Sequence, residues 1–259
     1  MLLAFDIGNT EITVGLFAGD VLRARWRFTT ATQRTADEWA AAITTQLVNA
    51  GHSTHEVRAA VGASVAPAVT EALADGVAQA TGARPWLIVA GSPLPVMLDV
   101  DEPMTVGADR IVNTLAACEL FGRDTIVVDF GTATTFDCIT ADGRFIGGVI
   151  APGVQTAAET LTRRAAKLPA TELLPPDRVI GRRTEACIRA GVLYGAADGV
   201  DGIVRRIKAE WPGEQVPLVV ATGGLAARVA PLAREIERVE PDLTLVGLRL
   251  AARHLGLTW

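Results

Sequence analysis

Residues 2–10 (LLAFDIGNT) and 125–135 (TIVVDFGTATT) share one pattern. Each is an apolar run typical of a buried strand, which ends in an aspartate and continues into a glycine and hydroxyl or amide side chains. The glycine lets the backbone approach a polyanion, backbone N–H groups and hydroxyls donate to phosphate oxygens, and the acid holds a cation. The two copies predict a nucleotide site built from two phosphate loops.

The similarity between the two halves extends beyond these loops. Residues 12–17 alternate in polarity and turn at Gly19-Asp20 into a second strand, and residues 135–150 repeat this plan around a turn at 141–143. Self-similarity separated by about half the chain indicates internal duplication. We therefore predict an α/β protein with an N-terminal half at 1–116 and a C-terminal half at 117–259, and expect each half to supply one loop to a shared nucleotide cleft.

Several helices are predicted from apolar spacing. They cover residues 35–50, 69–81, 107–120 and 184–211, with a further helix that follows the Gly223-Gly224 pair and runs to residue 236. Thr184 is the expected N-cap of the long helix. The cysteines Cys118, Cys138 and Cys187 have neither zinc spacing nor a disulfide framework, and we expect all three to be small core residues.

Composition excludes several classes of function. The net charge of −5 and the presence of only two lysines, Lys167 and Lys208, give no general attraction to nucleic acid or to an anionic membrane. Apolar stretches are too short and too interrupted for a membrane span, and residues 1–6 lack the features of a secretory signal, so a cytoplasmic location is expected. No Walker-type loop with Lys-Ser or Lys-Thr is present, which disfavours a P-loop kinase.

Asp109 is the candidate for proton transfer. It opens an apolar helical run in the motif Gly107-Ala108-Asp109-Arg110, where an aspartate is also favoured by the helix dipole as a simple N-terminal residue. In the functional interpretation Asp109 accepts a proton from a substrate hydroxyl that attacks a γ-phosphate, and Arg110 binds an anionic group or the transferred phosphoryl. Both interpretations are open from the sequence.

Other features also have two interpretations. Asp6 and Asp129 each end an apolar strand and either cap a turn or hold a cation, and their shared context favours the cation. The glycine pair at 223–224 fits a helix N-terminus that approaches an anion, or an ordinary strand-to-helix turn. The glycines at 191, 195 and 199 recur every fourth residue, which indicates close packing of a helix on its own sheet or on a partner helix in a homodimer.

An ordered set of motifs resembles the type III pantothenate kinase family. It comprises DIGNT at 6–10, VGADRIVN at 106–113, VVDFGTATTFD at 127–137, GGVIAPGV at 147–154, IGRRTE at 180–185 and ATGGL at 221–225. The resemblance implies the duplicated actin-like ATPase fold of acetate and sugar kinases, with two RNase H-like domains around a nucleotide cleft. It also implies phosphorylation of pantothenate by ATP, which is the first step towards coenzyme A, and usually a homodimer.

The resemblance also implies roles for individual residues. Asp109 would be the proton acceptor, Asp129 would bind a monovalent cation, potassium or ammonium, and magnesium would accompany ATP. Thr184 would reach pantothenate from the partner subunit. The residues implied to contact ATP are Asp6, Ile7, Gly8, Asn9, Thr10, Glu11, Ile12, Thr13 and Thr132, and those implied to contact pantothenate are Gly107, Ala108, Asp109, Arg110 and Thr184.

This sequence departs from the family pattern at Glu11, at Val100 and at the pair Arg182-Arg183, none of which is a proposed catalytic group. Two other classes of function compete with the kinase. One is a non-catalytic regulator that assists transcription on the same fold, which the retained aspartates disfavour. The other is a nuclease in which three aspartates hold two metal ions, which the acidic balance and the glycine loops disfavour.

Overall fold

A computed structural model describes all 259 residues, and the chain divides into two compact units. The first comprises Met1–Glu119 and Leu243–Trp259, and the second Leu120–Asp242. None of the helices combines the length and the apolar character that a bilayer span requires.

The first unit is built on a five-stranded sheet in the order β3-β2-β1-β4-β5. Its strands are β1 (Leu2–Ile7), β2 (Glu11–Ala18), β3 (Val21–Thr29), β4 (Ala59–Ser64) and β5 (Trp86–Ile88), and a short strand β6 (Met97–Leu98) follows. The first three strands form the predicted antiparallel meander, and β4 adds parallel to β1. The helices are α1 (Ala36–Asn49), α2 (Pro67–Thr81), α3 (Ala108–Phe121) and α7 (Leu243–His254).

Strand β1 is buried on both faces, which explains why it appears in the sequence as a continuous apolar run. Leu3, Phe5 and Ile7 belong to the core cluster formed with α1 and α2. Leu2 and Ala4 point the other way, into a cluster with α3 and α7. The sheet is therefore a middle layer with helices on both faces, and its central strand ends at Ile7, where the first loop begins.

The second unit repeats this pattern. Its strands β7 (Thr125–Phe130), β8 (Ala133–Ile139), β9 (Arg144–Pro152), β10 (Leu218–Thr222) and β11 (Arg238–Val239) lie in the order β11-β10-β7-β8-β9. Here too the first strand pairs antiparallel with the second and parallel with a later one. Helices α4 (Val154–Arg164) and α5 (Thr184–Glu210) pack on Ile126, Val128 and Phe130 of β7, and α6 (Ala226–Val229) follows β10.

The structure departs from the expected division at the C-terminus. The sequence pattern groups residues 243–259 with the rest of 117–259 in the C-terminal half, whereas α7 packs in the first unit. Its residues Leu245, Leu248 and Ala251 share a core cluster with Leu2 and Ala4 of β1. The turn between β2 and β3 also contacts α7, because Asp20 accepts hydrogen bonds from Arg249 and Arg253. Helical spacing reveals an apolar face but does not say which sheet that face covers.

Two helix boundaries differ from the prediction. The helix expected to run from the glycine pair to residue 236 ends at Val229 and passes into a 3-10 turn, because Pro231 lacks an N–H and cannot continue the helix. Beyond it, the N–H groups of Arg234 and Glu235 donate to the buried Asp201 carboxylate at 2.9 Å. Thr184 is the first helical residue of α5 and not its N-cap, which is Arg183.

The cysteine prediction was wrong for two of the three residues. Cys138 is buried, as expected for a core position in β8, but Cys118 is half-buried and Cys187 is exposed. Cys187 lies in the first turn of α5, where its Sγ donates weakly to the carbonyl of Gly181 at 3.4 Å. Cysteine is often buried, but the local pattern at the start of a helix decides its exposure.

Candidate active site

The first loop is a tight turn between β1 and β2. Asp6 is paired with Thr13 on β2 and with Ala63 on β4, so it lies near the end of the central strand β1. The N–H of Gly8 donates to the carbonyl of Glu11 at 3.0 Å and closes the turn. A Cβ at Gly8 would lie 2.8 Å from the Glu11 carbonyl oxygen, so the turn requires glycine.

The turn presents some of the predicted ATP-binding residues to solvent and hides others. Asn9, Thr10 and Glu11 are exposed at its tip. Ile7 and Ile12 are almost completely buried in the core between the sheet and α1, so they offer a ligand no side-chain contact. Their contribution to the site is the hydrophobic anchoring of the two strands that carry the turn.

Glu11, one of the departures from the family pattern, has a neighbour on β3. Its Oε1 lies 3.6 Å from a guanidinium nitrogen of Arg27, and both side chains are about half exposed. An exposed ion pair at this distance contributes between nothing and about 1 kcal/mol. The carboxylate therefore has a nearby positive charge but is not fixed by it.

The second loop is constructed in the same way. Asp129 is the penultimate residue of β7 and is paired with Thr135 on β8 and with Thr222 on β10. The N–H of Gly131 donates to the carbonyl of Ala133 at 3.0 Å, and Thr132 is exposed at the tip of the turn. The end of each central strand therefore carries an aspartate followed by a glycine-closed turn.

Gly223 lies against Asp129, a contact that the sequence patterns did not predict. Gly223 has a φ of +90°, and a Cβ there would overlap Oδ1 of Asp129. The signal in the sequence was the glycine pair directly after a strand, which also fits an ordinary turn. The contact between the two residues arises because β10 lies beside β7, and this pairing is not visible in the local sequence.

Asp109 occupies the first turn of α3. Its Oδ1 accepts the N–H of Arg110 at 2.8 Å, and a Cβ on Gly107 would come within 2.5 Å of the same oxygen. The carbonyl of Gly107 in turn accepts the N–H of Ile111 at 3.2 Å. Glycine at 107 therefore gives the Asp109 carboxylate the space it occupies.

Burial raises the pKa of the Asp109 carboxyl above its ordinary value, and the backbone N–H and guanidinium of Arg110 oppose this rise in part. Glu38 shows the contrasting behaviour in the same unit. It belongs to the exposed capping box of α1, where the hydrogen bonds from Thr35 lower its pKa. The pKa values of these two carboxyls therefore shift in opposite directions, because Asp109 is desolvated by burial whereas Glu38 is exposed and accepts hydrogen bonds.

The structure brings the first loop and the Asp109 segment together within the first unit. Val65, directly after β4, donates its N–H to the carbonyl of Ile7 at 3.0 Å. Its Cγ1 would lie 3.4 Å from a Cβ on Gly107. Val65 thus links the loop to the segment that carries Asp109. The remaining predicted residues, Asp129, Thr132 and Thr184, belong to the second unit.

Solved structures share this architecture. The activator of 2-hydroxyisocaproyl-CoA dehydratase from Clostridium difficile matches with a TM-score of 0.57 at 16% identity, over 99% of this chain and 94% of that one. The ROK hexokinase from Thermus thermophilus matches with a TM-score of 0.52 at 16% identity, over 96% and 97%. These likenesses concern the fold alone and confirm the predicted actin-like ATPase fold. The chain therefore belongs to the actin-like ATPase class of folds, and the central strand of each unit leads into a glycine-closed turn.

The family follows from sequence comparison. A family model described as type III pantothenate kinase matches residues 2–206. A type III pantothenate kinase of Moorella thermoacetica is 46% identical over 250 residues, covering 96% of this chain and 98% of that protein. Another, from Thermomicrobium roseum, is 46% identical over 255 residues and covers 98% of both. The chain belongs to the type III pantothenate kinase family, as its motifs indicated.

Proposed function

We propose that the protein transfers the γ-phosphate of ATP to the hydroxyl of pantothenate that becomes the 4′-phosphate, the first step of coenzyme A biosynthesis. The observation that carries the proposal is the match to the family over most of the chain. The half-buried Asp109, with its raised pKa, supplies a base suited to deprotonating an alcohol.

ATP phosphates are assigned to the two glycine-closed turns. In the first, residues 6–13 supply the exposed side chains of Asn9 and Thr10 together with backbone N–H groups, while Ile7 and Ile12 hold the strands. The exposed Glu11 carboxylate is an acceptor and would meet phosphate only through a bound cation. In the second, Thr132 supplies an exposed hydroxyl. Hydroxyls and N–H groups are the donors that phosphate oxygens require, and the chain can use them in place of a P-loop lysine.

Pantothenate is assigned to the segment 107–110. Gly107 and Ala108 form the entry to α3, where backbone N–H groups of the first turn are available to polar groups of pantothenate near the hydroxyl that reacts. Arg110 adds a positive charge beside them. Asp109 accepts the proton of the attacking hydroxyl, and its partial burial keeps the carboxylate weakly solvated and therefore more basic.

The carboxylates fit cations that are shared with a substrate. The chain has no group of three or more His, Cys, Asp or Glu side chains placed to hold a metal ion. Mg²⁺ in kinase sites is held by one or two carboxylates together with substrate phosphates, and Asp6 at the end of β1 fits such a role. Asp129, against which Gly223 packs, is proposed to hold the monovalent cation, potassium or ammonium, which would neutralise phosphate charge.

A homodimer through α5 is also proposed. The glycines at 191, 195 and 199 are exposed, and no atom lies within 4 Å of a Cβ built at any of them. They line an open groove of about 360 Å³ whose walls include Phe136, Val154 and Leu161. We propose that a helix of a second copy packs on this apolar groove, and in such a dimer the exposed Thr184 of one subunit would reach pantothenate bound to the other.

The competing functions have less support. The relatives from Moorella thermoacetica and Thermomicrobium roseum are both kinases by name, so they give the transcription-accessory alternative no support. A two-metal nuclease needs clustered carboxylates, and no group of three is placed to hold a metal ion.

The deciding experiment couples ADP release to a spectroscopic readout, with ATP, pantothenate and Mg²⁺ present and with potassium, ammonium or sodium varied. We expect turnover that depends on pantothenate and is stimulated by potassium or ammonium. Asp129→Ala should weaken that stimulation more than it weakens ATP binding. No turnover in the presence of both cations would overturn the proposed function, and equal turnover without pantothenate would overturn the proposed substrate.

A further inference from the structure

Thr30 lies directly after β3 and contacts the first phosphate loop twice. Its hydroxyl donates to the carbonyl of Gly8 at 2.7 Å, and its backbone N–H donates to the carbonyl of Thr10 at 3.0 Å. These two carbonyls flank Asn9, the residue at the tip of the turn. The half-buried Thr30, which is not part of the loop, therefore bonds the loop both before and after Asn9.

Thr156 makes a similar contact in the second unit, on the carbonyl one position further along the turn. It lies in the first turn of α4, which begins directly after β9, and its hydroxyl donates to the carbonyl of Thr132 at 2.7 Å. The lack of a side chain at Gly153 allows this approach, because a Cβ there would overlap the carbonyl of Thr132. In both units the segment that follows the third strand of the meander thus places a threonine hydroxyl on a loop carbonyl.

These hydrogen bonds determine the direction of the loop peptides. In a trans peptide the carbonyl and the following N–H point in opposite directions, so fixing the Gly8 carbonyl also fixes the N–H of Asn9. Fixing the Thr132 carbonyl does the same for the N–H of Ala133. A phosphate is attracted by N–H groups and repelled by carbonyl oxygens, so a loop binds it well when its carbonyls are held away from it.

From this geometry we infer that Thr30 and Thr156 are matched positioning residues that keep the two loops in their phosphate-binding orientation. The inference rests on the proposed use of these loops for ATP. Neither side chain is assigned a contact with ATP, since each acts through the loop carbonyl that it holds. Removing either hydroxyl leaves that carbonyl without this donor, so the peptide can rotate. The loop then loses conformational entropy when ATP binds, which weakens binding.

The test uses the nearly isosteric variants Thr30→Val and Thr156→Val, each with its Thr→Ser counterpart. Matched controls are Thr45→Val and Thr162→Val, which remove a hydroxyl bonded to a helix carbonyl at 2.8 Å and 3.3 Å respectively, on α1 and α4. The measurements are KM for ATP, KM for pantothenate, kcat, the Kd of a non-hydrolysable ATP analogue, and the melting temperature.

We expect each valine variant to raise KM for ATP and the analogue Kd by about fivefold or more, the scale of one net hydrogen bond. KM for pantothenate should change less, the serine variants should retain wild-type values, and melting temperatures should match those of the controls. An unchanged analogue Kd in the two valine variants would overturn the inference. So would an equal loss of binding in the control variants, because that would reduce the effect to general destabilisation.

The two proposals fail separately. If the wild-type protein binds the analogue but does not turn over pantothenate, the proposed function fails, while the analogue Kd still tests the threonines. If the wild-type protein turns over pantothenate and Thr30→Val and Thr156→Val leave KM for ATP unchanged, the positioning role fails alone.

Discussion

Gly223 packs directly on the carboxylate of Asp129, at a backbone φ of +90° that L-residues with a side chain rarely adopt. Two requirements therefore coincide at one position. The backbone conformation favours glycine, and the space that a side chain would occupy is filled by Oδ1 of Asp129. Glycine directly after β10 thus leaves the space that the Asp129 carboxylate occupies.

Gly223→Ala should disturb Asp129 and lower the stability of the second unit. We expect a loss of about 1–3 kcal/mol from the strained φ and the overlap, together with reduced stimulation by potassium. Thermal unfolding and turnover over a potassium titration measure the two effects. Gly224→Ala is the matched control for stability, since a Cβ there meets no atom within 4 Å. Equal melting temperatures for the two variants would contradict the prediction.

Asp109→Asn should lower turnover on the order of 10²-fold or more, because it removes the proposed general base. The amide oxygen can still accept the N–H of Arg110, so α3 should keep its start and binding of ATP should persist. Steady-state kinetics and titration with an ATP analogue measure both quantities. Full activity in this variant would show that Asp109 is not the base and only stabilises the N-terminus of α3.

The same substitution should raise the melting temperature at neutral pH. A carboxyl whose pKa is raised by burial favours the protonated folded state, so its ionisation costs stability as the pH rises through the folded pKa. Asparagine carries no charge and avoids this cost. The gain over wild type should therefore be largest near pH 8 and shrink towards pH 4. A gain that instead grows on acidification would show that the Asp109 charge stabilises the fold.

The pH dependence of the wild-type enzyme should report the same group. Asp109 acts as a base when it is ionised, so kcat/KM for pantothenate should fall as the pH decreases through the pKa of Asp109 in the free enzyme. Because burial raises that pKa, the fall should occur at a higher pH than the value of about 4 for an ordinary aspartate. A kcat/KM profile from pH 4 to 9, on enzyme shown to remain folded, provides the measurement. Constant kcat/KM down to pH 4 would refute the assignment.

Gly247→Ala should destabilise the first unit through the contact between α7 and α3. A Cβ at Gly247 would overlap the carbonyl of Val112, one helical turn beyond Asp109, and the nearby Thr244 hydroxyl bonds the buried Asn113 side chain at 2.9 Å. Overpacking of this kind costs about 1–3 kcal/mol. Gly202→Ala on α5 is the opposite case, since the space is open and alanine should stabilise the helix by about 0.5–1 kcal/mol. Chemical denaturation should show a lower free energy of unfolding than wild type for Gly247→Ala and a higher one for Gly202→Ala.

Gly195→Glu should dissociate the proposed homodimer. A charged side chain in the apolar groove would be desolvated on association without a partner, which opposes binding. Sedimentation equilibrium should show a dimer for the wild type and a monomer for the variant. Val48→Glu, at an exposed position on α1, controls for added negative charge. If the Gly195→Glu protein remains dimeric, the homodimer interface does not involve this face of α5.

Local sequence determined the elements that carry the site. The buried strands β1 and β7 appear as apolar runs, each with an aspartate near its end and a glycine after it that specifies a tight turn, and the apolar spacing of residues 35–50 predicts α1. These features depend on residues within a few positions of one another. For that reason the duplicated meander could be predicted from local patterns, whereas the actin-like fold was implied by the resemblance of the ordered motifs to a known family.

The tertiary structure decided which distant residues meet. The placement of α7 in the first unit, the packing of Gly223 on Asp129 and the hydrogen bond from Thr30 to Gly8 each join segments that are far apart in the chain. The raised pKa of Asp109 likewise depends on burial by the surrounding fold. Sequence patterns record local backbone preference and periodicity, whereas desolvation and close approach depend on which faces pack together, so these properties emerge only in the folded chain.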